Sequence, residues 1–328
     1  MAATQHGERP LKFCLARLLI TGATGLLGSC IAHLASSEHE VFGLSRKTIP
    51  PTPQWHHCCL DLTDAATTLL FLGKLHADII IHCAALTDVE RCEKDEGRAW
   101  TINVDSTKIL SAWAFTNRVK FVLISTDSVF DGVRGNYQES DEPAPVNIYA
   151  RTKLAAEQAV RLQCPKALII RTNFFGSSTA GGTSLAEWML AKLINGESFD
   201  GFTDVRFSPL FAGYLPHIML ELIRRDARGL FHIGAQDSCS KYEFAIEIAR
   251  IFQLDPSVIR PGSIDQFPFH ARRPKDTSLA TEKISSFLDR EMPSVSEQMQ
   301  MMRRVTPLGA YPGRDAGIEK VLRSGMVM

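Results

Sequence analysis

Tyr149 and Lys153 stand four residues apart in the stretch YARTK. On a helix that spacing puts both side chains on one face, so a phenol and an ammonium can address the same ligand. The chemistry open to such a pair is proton donation. A phenol of ordinary pKa, about 10, titrates nearer neutrality when a neighbouring ammonium favours its phenolate. A carbonyl that receives electrons at carbon gathers charge on oxygen, and a donor aimed at that oxygen lowers the barrier. Alone the pair decides nothing, because the same residue types also cover ordinary helix surfaces.

A second stretch bears on it. In TGATGLLG, Gly22, Gly25 and Gly28 follow the apolar run ARLLITG and open the helix-patterned LLGSCIAHLASS. Strand, glycine turn and helix in that order are the context of a dinucleotide fingerprint. The first glycine permits the tight turn, the second lets a pyrophosphate approach the backbone, and the third lets helix and strand pack closely. The contacts are expected along the whole turn, at Gly22, Thr24, Gly25, Leu26, Leu27 and Gly28. After the second strand, where an acidic residue would bind ribose hydroxyls, LSRK offers Ser45, Arg46 and Lys47 to a 2′-phosphate. NADP(H) is therefore favoured over NAD(H), although a solvated basic turn would read the same way. Asp61, followed by Leu62, ends the third strand and suits an adenine amino group. Ala84 and Ala85, past the fourth strand, are small enough for a cofactor to lie over the sheet edge.

The elements that must position these residues alternate regularly in the first half. Strands are expected at ARLLITG, EVFGLSR, a short run ending in CCLDL, ADIIIHCAA, VKFVLIST and KALIIRT. Helices lie between them, including one long helix over most of residues 96–117. The pattern predicts an α/β protein with a doubly wound parallel sheet and right-handed crossovers. The second half is less regular. Ser184 with Glu187, Ser240 with Glu243 and Ser294 with Glu297 have capping-box spacing, each before a helical pattern. We expect a nucleotide-binding domain over 15–175, to which later segments return, and a smaller domain mainly over 176–304. The Gly/Ser-rich stretch 176–184 suits a lid. Residues 1–14 and 305–328 receive no assignment.

Composition narrows the classes of function. Lys plus Arg and Asp plus Glu are both 36, so no overall field recommends nucleic acid or an acidic membrane as partner. No run of apolar residues is long enough to span a bilayer, and the eight cysteines lack a repeated spacing, as reduced thiols do. These features place the chain in the cytoplasm. In WHHCC successive side chains of an extended segment face opposite ways, so the four cannot close on one ion, and no metal is expected.

Eight ordered blocks then carry a resemblance: GATGLLG, HCAALTDVERCE, INVD, STDSVFDG, the segment from Tyr137 to Lys153, RTNFFG, SKYEFAIEIA and ARRPKDTSL. Over roughly residues 17–300 the chain resembles the extended short-chain dehydrogenase/reductases, and among them the dTDP-4-dehydrorhamnose reductase family. The resemblance implies a Rossmann-like domain with a smaller C-terminal substrate-binding domain. It also implies reduction of a keto group, at C4, of a nucleotide-linked deoxysugar by NADPH. Thr126, Tyr149 and Lys153 become the catalytic triad, and Tyr149 and Lys153 also meet the cofactor. Asn103, in the long helix, corresponds to an asparagine that organises such sites. Thr87, Ser128, Asn173, Arg206 and Arg273 fall where substrate is expected, the arginines as diphosphate ligands. Ser128 replaces a usual aromatic, which implies a wider pocket. A homodimer is left open.

Two other readings share these residues. RFSP, SKYEFAIEIA and ARRP are also similar to the NADP-binding regulatory beta subunit of methionine adenosyltransferase, which keeps the Tyr and Lys. Nucleotide-sugar epimerases and dehydratases use the same pair, but dehydratases add an acidic pair beside the threonine, where this chain has Asp127 and Ser128.

Overall fold

The computed structural model describes residues 15–48, 54–177 and 184–306. The terminal segments, the Pro-rich loop at 50–53 and most of the expected lid at 176–184 lie outside them. Six strands follow the sequence pattern: β1 (Arg17–Thr21), β2 (Glu40–Ser45), β3 (His56–Cys59), β4 (Ile79–His82), β5 (Lys120–Thr126) and β6 (Leu168–Thr172). A seventh, β7 (Gly229–Ile233), arrives from much later in the chain. All pair in parallel in the order β3-β2-β1-β4-β5-β6-β7. This is the doubly wound, Rossmann-like sheet expected of an α/β chain.

Strand alternation explains how both sheet faces are covered. Leu18, Ile20, Ile81, Val122 and Ile170 face helices α1 (Leu26–Ala35), α8 (Leu215–Arg224) and α10 (Glu282–Leu288). Their neighbours Leu19, Ile80, Phe121, Leu123 and Ile169 face α2 (Ala65–Leu75), α5 (Ser106–Thr116) and α6 (Ile148–Gln163). A separate apolar cluster, rich in phenylalanine, gathers α7 (Leu185–Ile194), α9 (Lys241–Phe252) and α11 (Val295–Val305) beside the carboxyl end of the sheet. Each of these three helices opens with the Ser–Glu capping box read from the sequence. No helix among the described residues is long and apolar enough to cross a membrane. Nor does any group of three His, Cys, Asp or Glu among them converge as a metal site.

The expected long helix is interrupted. After α3 (Val89–Lys94) and α4 (Glu96–Trp100), one π-helical turn covers Thr101–Asp105 before α5 begins. This turn carries Asn103 and anchors a buried polar column. Thr107 Oγ1 donates to the Asn103 carbonyl at 2.7 Å, so it can only accept from His82 Nε2, 2.9 Å away. His82 Nδ1 must then accept from Thr21 Oγ1 at 2.7 Å, while Thr21 Oγ1 accepts from the Ala84 amide at 3.2 Å. Burial keeps this imidazole neutral, and the geometry then puts its proton on Nε2. Above this column the chain turns at Gly22, whose φ of +68° and 2.8 Å approach of a built Cβ to the Ala84 amide admit no side chain. At Gly28 a Cβ would come within 2.3 Å of the Gly22 carbonyl, so helix and turn pack only because that residue is bare.

Under β5, β6 and α6 lies a buried ion pair. Arg171 reaches Glu157 through Nε at 2.9 Å and Nη2 at 2.7 Å, Ser125 Oγ donates to the same carboxylate at 2.5 Å, and the guanidinium stacks 5.0 Å over Phe130. The next nitrogen, Nη1, meets His232 Nε2 at 3.5 Å, whose Nδ1 donates to the Tyr137 carbonyl.

Two expectations follow. Glu157→Leu strands a buried guanidinium and should cost about 3–5 kcal/mol, whereas adding Arg171→Met should restore much of it; urea midpoints of the two variants measure the difference. His82 and His232 both sit at a pKa of about 3, mainly through burial and secondarily through Lys153 and Arg171 respectively. The unfolded chain takes up these protons below about pH 6.5 while the native state refuses them. Stability is therefore complete above that pH and falls as pH drops toward 5, with a limiting slope of about 2.7 kcal/mol per pH unit for the two groups. Denaturation of His82→Gln over the same window should show a slope lower by one proton.

Candidate active site

Two clefts meet over the carboxyl ends of the strands. The first, about 350 Å³, is walled by the turn residues Gly22, Thr24, Gly25, Leu26, Leu27 and Gly28. Ser45 and Arg46 follow from the end of β2, Asp61 and Leu62 from beyond β3, and Ala84, Ala85 and Thr87 from beyond β4. Its local chemistry fits a dinucleotide. The α1 N-cap, Gly25, supplies no side-chain cap, and the first turn holds no acid, so the amides there are left for an anion. The capping boxes of α7, α9 and α11 close the same positions. At the adenosine end the residues differ in what they have left to offer. Ser45 Oγ donates to the Lys47 carbonyl at 2.8 Å and meets His57 Nε2 at 2.9 Å, which commits the hydroxyl within the protein. Arg46 is exposed at the cleft wall, while Lys47 does not line it. Asp61 accepts from the Thr63 amide and hydroxyl at 3.0 and 2.8 Å. Those bonds, helped by Arg46 and Arg98, hold its carboxyl below the usual range.

Asn103 does not reach this cleft, contrary to its expected place among the cofactor contacts. Its Oδ1 accepts from the Leu86 amide at 2.7 Å, and Nδ2 donates to the Leu86 carbonyl and to Thr152 Oγ1. The side chain pins the loop after β4 to α6, and acts on the site by position.

The second cleft, about 330 Å³, collects Thr126, Ser128, Tyr149, Lys153, Asn173 and Lys241. Leu26, Cys83, Ala85, Thr87, Ile124 and Phe174 wall both clefts, so they are continuous. Tyr149 and Lys153 lie one turn apart on α6, whose N-cap Asn147 accepts from the Ala150 amide. Lys153 Nζ donates to the Ile124 carbonyl at 2.7 Å, and burial lowers its pKa to about 8 against the pull of Glu157 and Cys83. The phenol of Tyr149 departs from the expectation that Lys153 would lower its pKa. Burial pushes it up, Asp127 and Cys92 add to the rise, and only the Thr126 contact opposes them. The physical reason is that Lys153 is turned toward a backbone carbonyl and the Asp127 carboxylate is the phenol's charged neighbour. Tyr149 is thereby held protonated at neutral pH, the state a proton donor needs.

Asp127 organises the floor. Its buried carboxylate accepts from Thr126 Oγ1 at 3.0 Å, Ser128 Oγ at 3.3 Å, Asn173 Nδ2 at 2.9 Å and Thr277 Oγ1 at 2.7 Å. Thr126 Oγ1 also accepts from the Ser128 amide, so its proton reaches a ligand oxygen only if the hydroxyl rotates away from Asp127. Ser128 and Asn173 line the cleft while bound to the same carboxylate.

The two arginines expected at a diphosphate are turned elsewhere. In the two-residue strand Arg206–Phe207, alternation points Phe207 into the cleft and sends Arg206 to Glu243 at 3.0 Å and the Ser238 carbonyl. Arg273 pairs with Glu90 at 3.2 Å, and its guanidinium lies 5.3 Å over Phe269, outside the second cleft. Sequence reasoning passed over Lys241, which does line it. The signal was available: the Ser240–Glu243 capping box puts a cation on the first residue of α9, where the helix dipole disfavours it.

The sequence model for the RmlD substrate binding domain matches residues 16–306. A probable low-salt glycan biosynthesis reductase of Haloferax volcanii is 32% identical over 285 residues, 85% of this chain and 95% of its own. The dTDP-4-dehydrorhamnose reductase of Mycobacterium tuberculosis is 32% identical over 275 residues, 81% of this chain and 86% of its own. Among solved structures, dTDP-4-dehydrorhamnose reductase from Bacillus anthracis in complex with NADP superposes with a TM-score of 0.80 at 29% identity, over 89% of this chain and all of that one. With the glycine turn, the paired clefts and the Tyr149–Lys153 helix in place, these matches across nearly the whole described chain show that the protein belongs to the RmlD substrate binding domain family.

Proposed function

We propose that this protein is an NADPH-dependent oxidoreductase that reduces a keto group, at C4, of a nucleotide-linked deoxysugar. The observation that carries the reading is the shared wall of the two clefts, which brings a cofactor laid along the glycine turn against Thr126, Tyr149 and Lys153. The named activities of the relatives support the substrate class. Free thiols at the described cysteines suit a reducing, cytoplasmic setting.

Bound NADPH supplies the hydride that reaches the carbonyl carbon. The protein's part is proton delivery and alignment. Tyr149, kept protonated by burial and by the Asp127 carboxylate, gives its proton to the carbonyl oxygen as charge develops there. Lys153, anchored on the Ile124 carbonyl, brings a positive charge to the same cleft and would hold a ribose hydroxyl of the bound cofactor. Thr126, once its hydroxyl swings from Asp127, adds a second donor to the oxygen. Asn103 holds α6 against the loop after β4, which keeps the phenol in the second cleft, beside the cofactor cleft. Arg46 supplies the charge for a 2′-phosphate, and the small Ser128 leaves room where a ring would border the sugar.

Two measurements test this reading. Arg46→Ala should weaken NADPH by about tenfold or more and leave NADH nearly unchanged, as fluorescence titration of both cofactors would show. Tyr149→Phe should bind NADPH normally yet lose about 10²–10⁴-fold in kcat on dTDP-4-dehydrorhamnose, because only the donor hydroxyl is gone. If wild type binds NADPH and reduces no member of a keto-sugar panel, the regulatory-subunit reading replaces this one.

A further inference from the structure

Lys241 is a buried cation with no hydrogen-bond acceptor among the described residues. It is 8% exposed and lines the second cleft, and its Nζ stands 3.1 Å from the centroid of the Phe207 ring. Its backbone is fixed from two sides: the amide donates to the Val205 carbonyl at 2.9 Å, and Ser240 caps the helix it begins. Three unfavourable terms meet in this one side chain. Burial removes most of its water, the first turn of α9 opposes positive charge, and all three N–H bonds lack an acceptor among the described residues. The compensation visible in the fold is partial. The face of Phe207 attracts the ammonium, and Asp127 attracts it through space. The Asp127 oxygens, however, are already held by four other donors.

A lysine in this position has bonding capacity left for a ligand. Neutral sugar hydroxyls would meet its geometry but would not offset a buried charge, whereas an anionic oxygen does both. In a pyranose the fourth carbon lies across the ring from the anomeric carbon. A sugar with its C4 carbonyl at Tyr149 therefore directs its anomeric diphosphate toward another wall of the cleft. The cations lining that cleft are Lys153, bound to the Ile124 carbonyl, and Lys241.

We propose that the Lys241 ammonium binds the diphosphate of the nucleotide-linked substrate, the task for which Arg206 and Arg273 are turned away. The inference rests on the reductase reading above. Lys241 recognises the substrate rather than transferring a proton, so its loss acts on substrate affinity and leaves chemistry and cofactor binding in place.

The experiment uses the full-length protein saturated with NADP⁺, which keeps the first cleft filled, and titrates dTDP, UDP, thymidine and uridine by calorimetry. Lys241→Met should weaken whichever diphosphate the wild type binds by at least about tenfold. The matching nucleoside and NADPH should be unaffected. Lys241→Arg should recover most of the loss, and Lys241→Gln serves as a second uncharged variant should the methionine disturb folding. On a reducible keto-sugar nucleotide, KM should rise while kcat stays within about threefold. Equal diphosphate affinity in wild type and both uncharged variants would overturn the inference while leaving the reductase reading intact. A fall in kcat with unchanged diphosphate affinity would do the same, by moving Lys241 to the carbonyl. A wild type that binds neither diphosphate would overturn both.

Discussion

The site depends on a buried line of hydrogen bonds that runs from the Ala84 amide through Thr21, His82 and Thr107 to the Asn103 carbonyl, and from the Asn103 side chain to Leu86 and Thr152. Each bond adds only about 1 kcal/mol net, but any member left unpaired in the interior costs more than that. The line therefore specifies one arrangement more than it stabilises the fold. It ties the glycine turn, the end of β4, the π turn and α6 into a single unit, so the two cleft walls cannot drift apart independently. A π turn where a regular helix was expected follows from this demand: the extra residue in the turn aims the Asn103 side chain at the loop after β4 while its carbonyl still receives Thr107.

Charge in the second cleft is arranged on the same principle of full commitment with selected exceptions. Asp127 has no acceptor capacity left idle, Lys153 rests on a backbone carbonyl, and Glu157 absorbs Arg171 beneath them. What remains uncommitted faces the ligand space: the Tyr149 proton, the first amides of α1 and the Lys241 ammonium. The low dielectric that raises the phenol also lowers both lysines to about 8. Each cation is thus near its titration point, where an arriving anion or hydroxyl can hold its proton in place.

Much of this was legible in the sequence because it rests on local pattern. Five of the first six strands are apolar runs with turn signals, β3 with its HHCC being the exception, the three capping boxes are spaced residue types, and the glycine turn is both motif and context. The remainder depends on contacts between distant segments. GLFHI carries too short a pattern to announce β7, which exists because β6 offers it a free edge. The directions of Arg206 and Arg273 could not be read, since a two-residue strand is too short to be recognised in the sequence and Glu90 lies far away along the chain. The sign of the Tyr149 shift was misjudged for a similar reason: helical spacing shows that Lys153 is near, but not that its head is drawn to Ile124. Lys241 had a local signature, a cation where a helix begins, and its meaning emerged only with Phe207 beneath it.

The late arrival of β7 has a consequence for synthesis. Between β6 and β7 the chain first emits α7, several short strands and α8, so the outer edge of β6 stays unpaired while these segments emerge. An open, apolar strand edge is a template for pairing with other chains. Until that edge is paired, a neighbouring nascent copy can offer it a strand. That interval closes when Gly229–Ile233 docks and Glu139 takes the His232 amide on the far side. The order of elements along the chain thus sets a kinetic demand for prompt completion or chaperone cover.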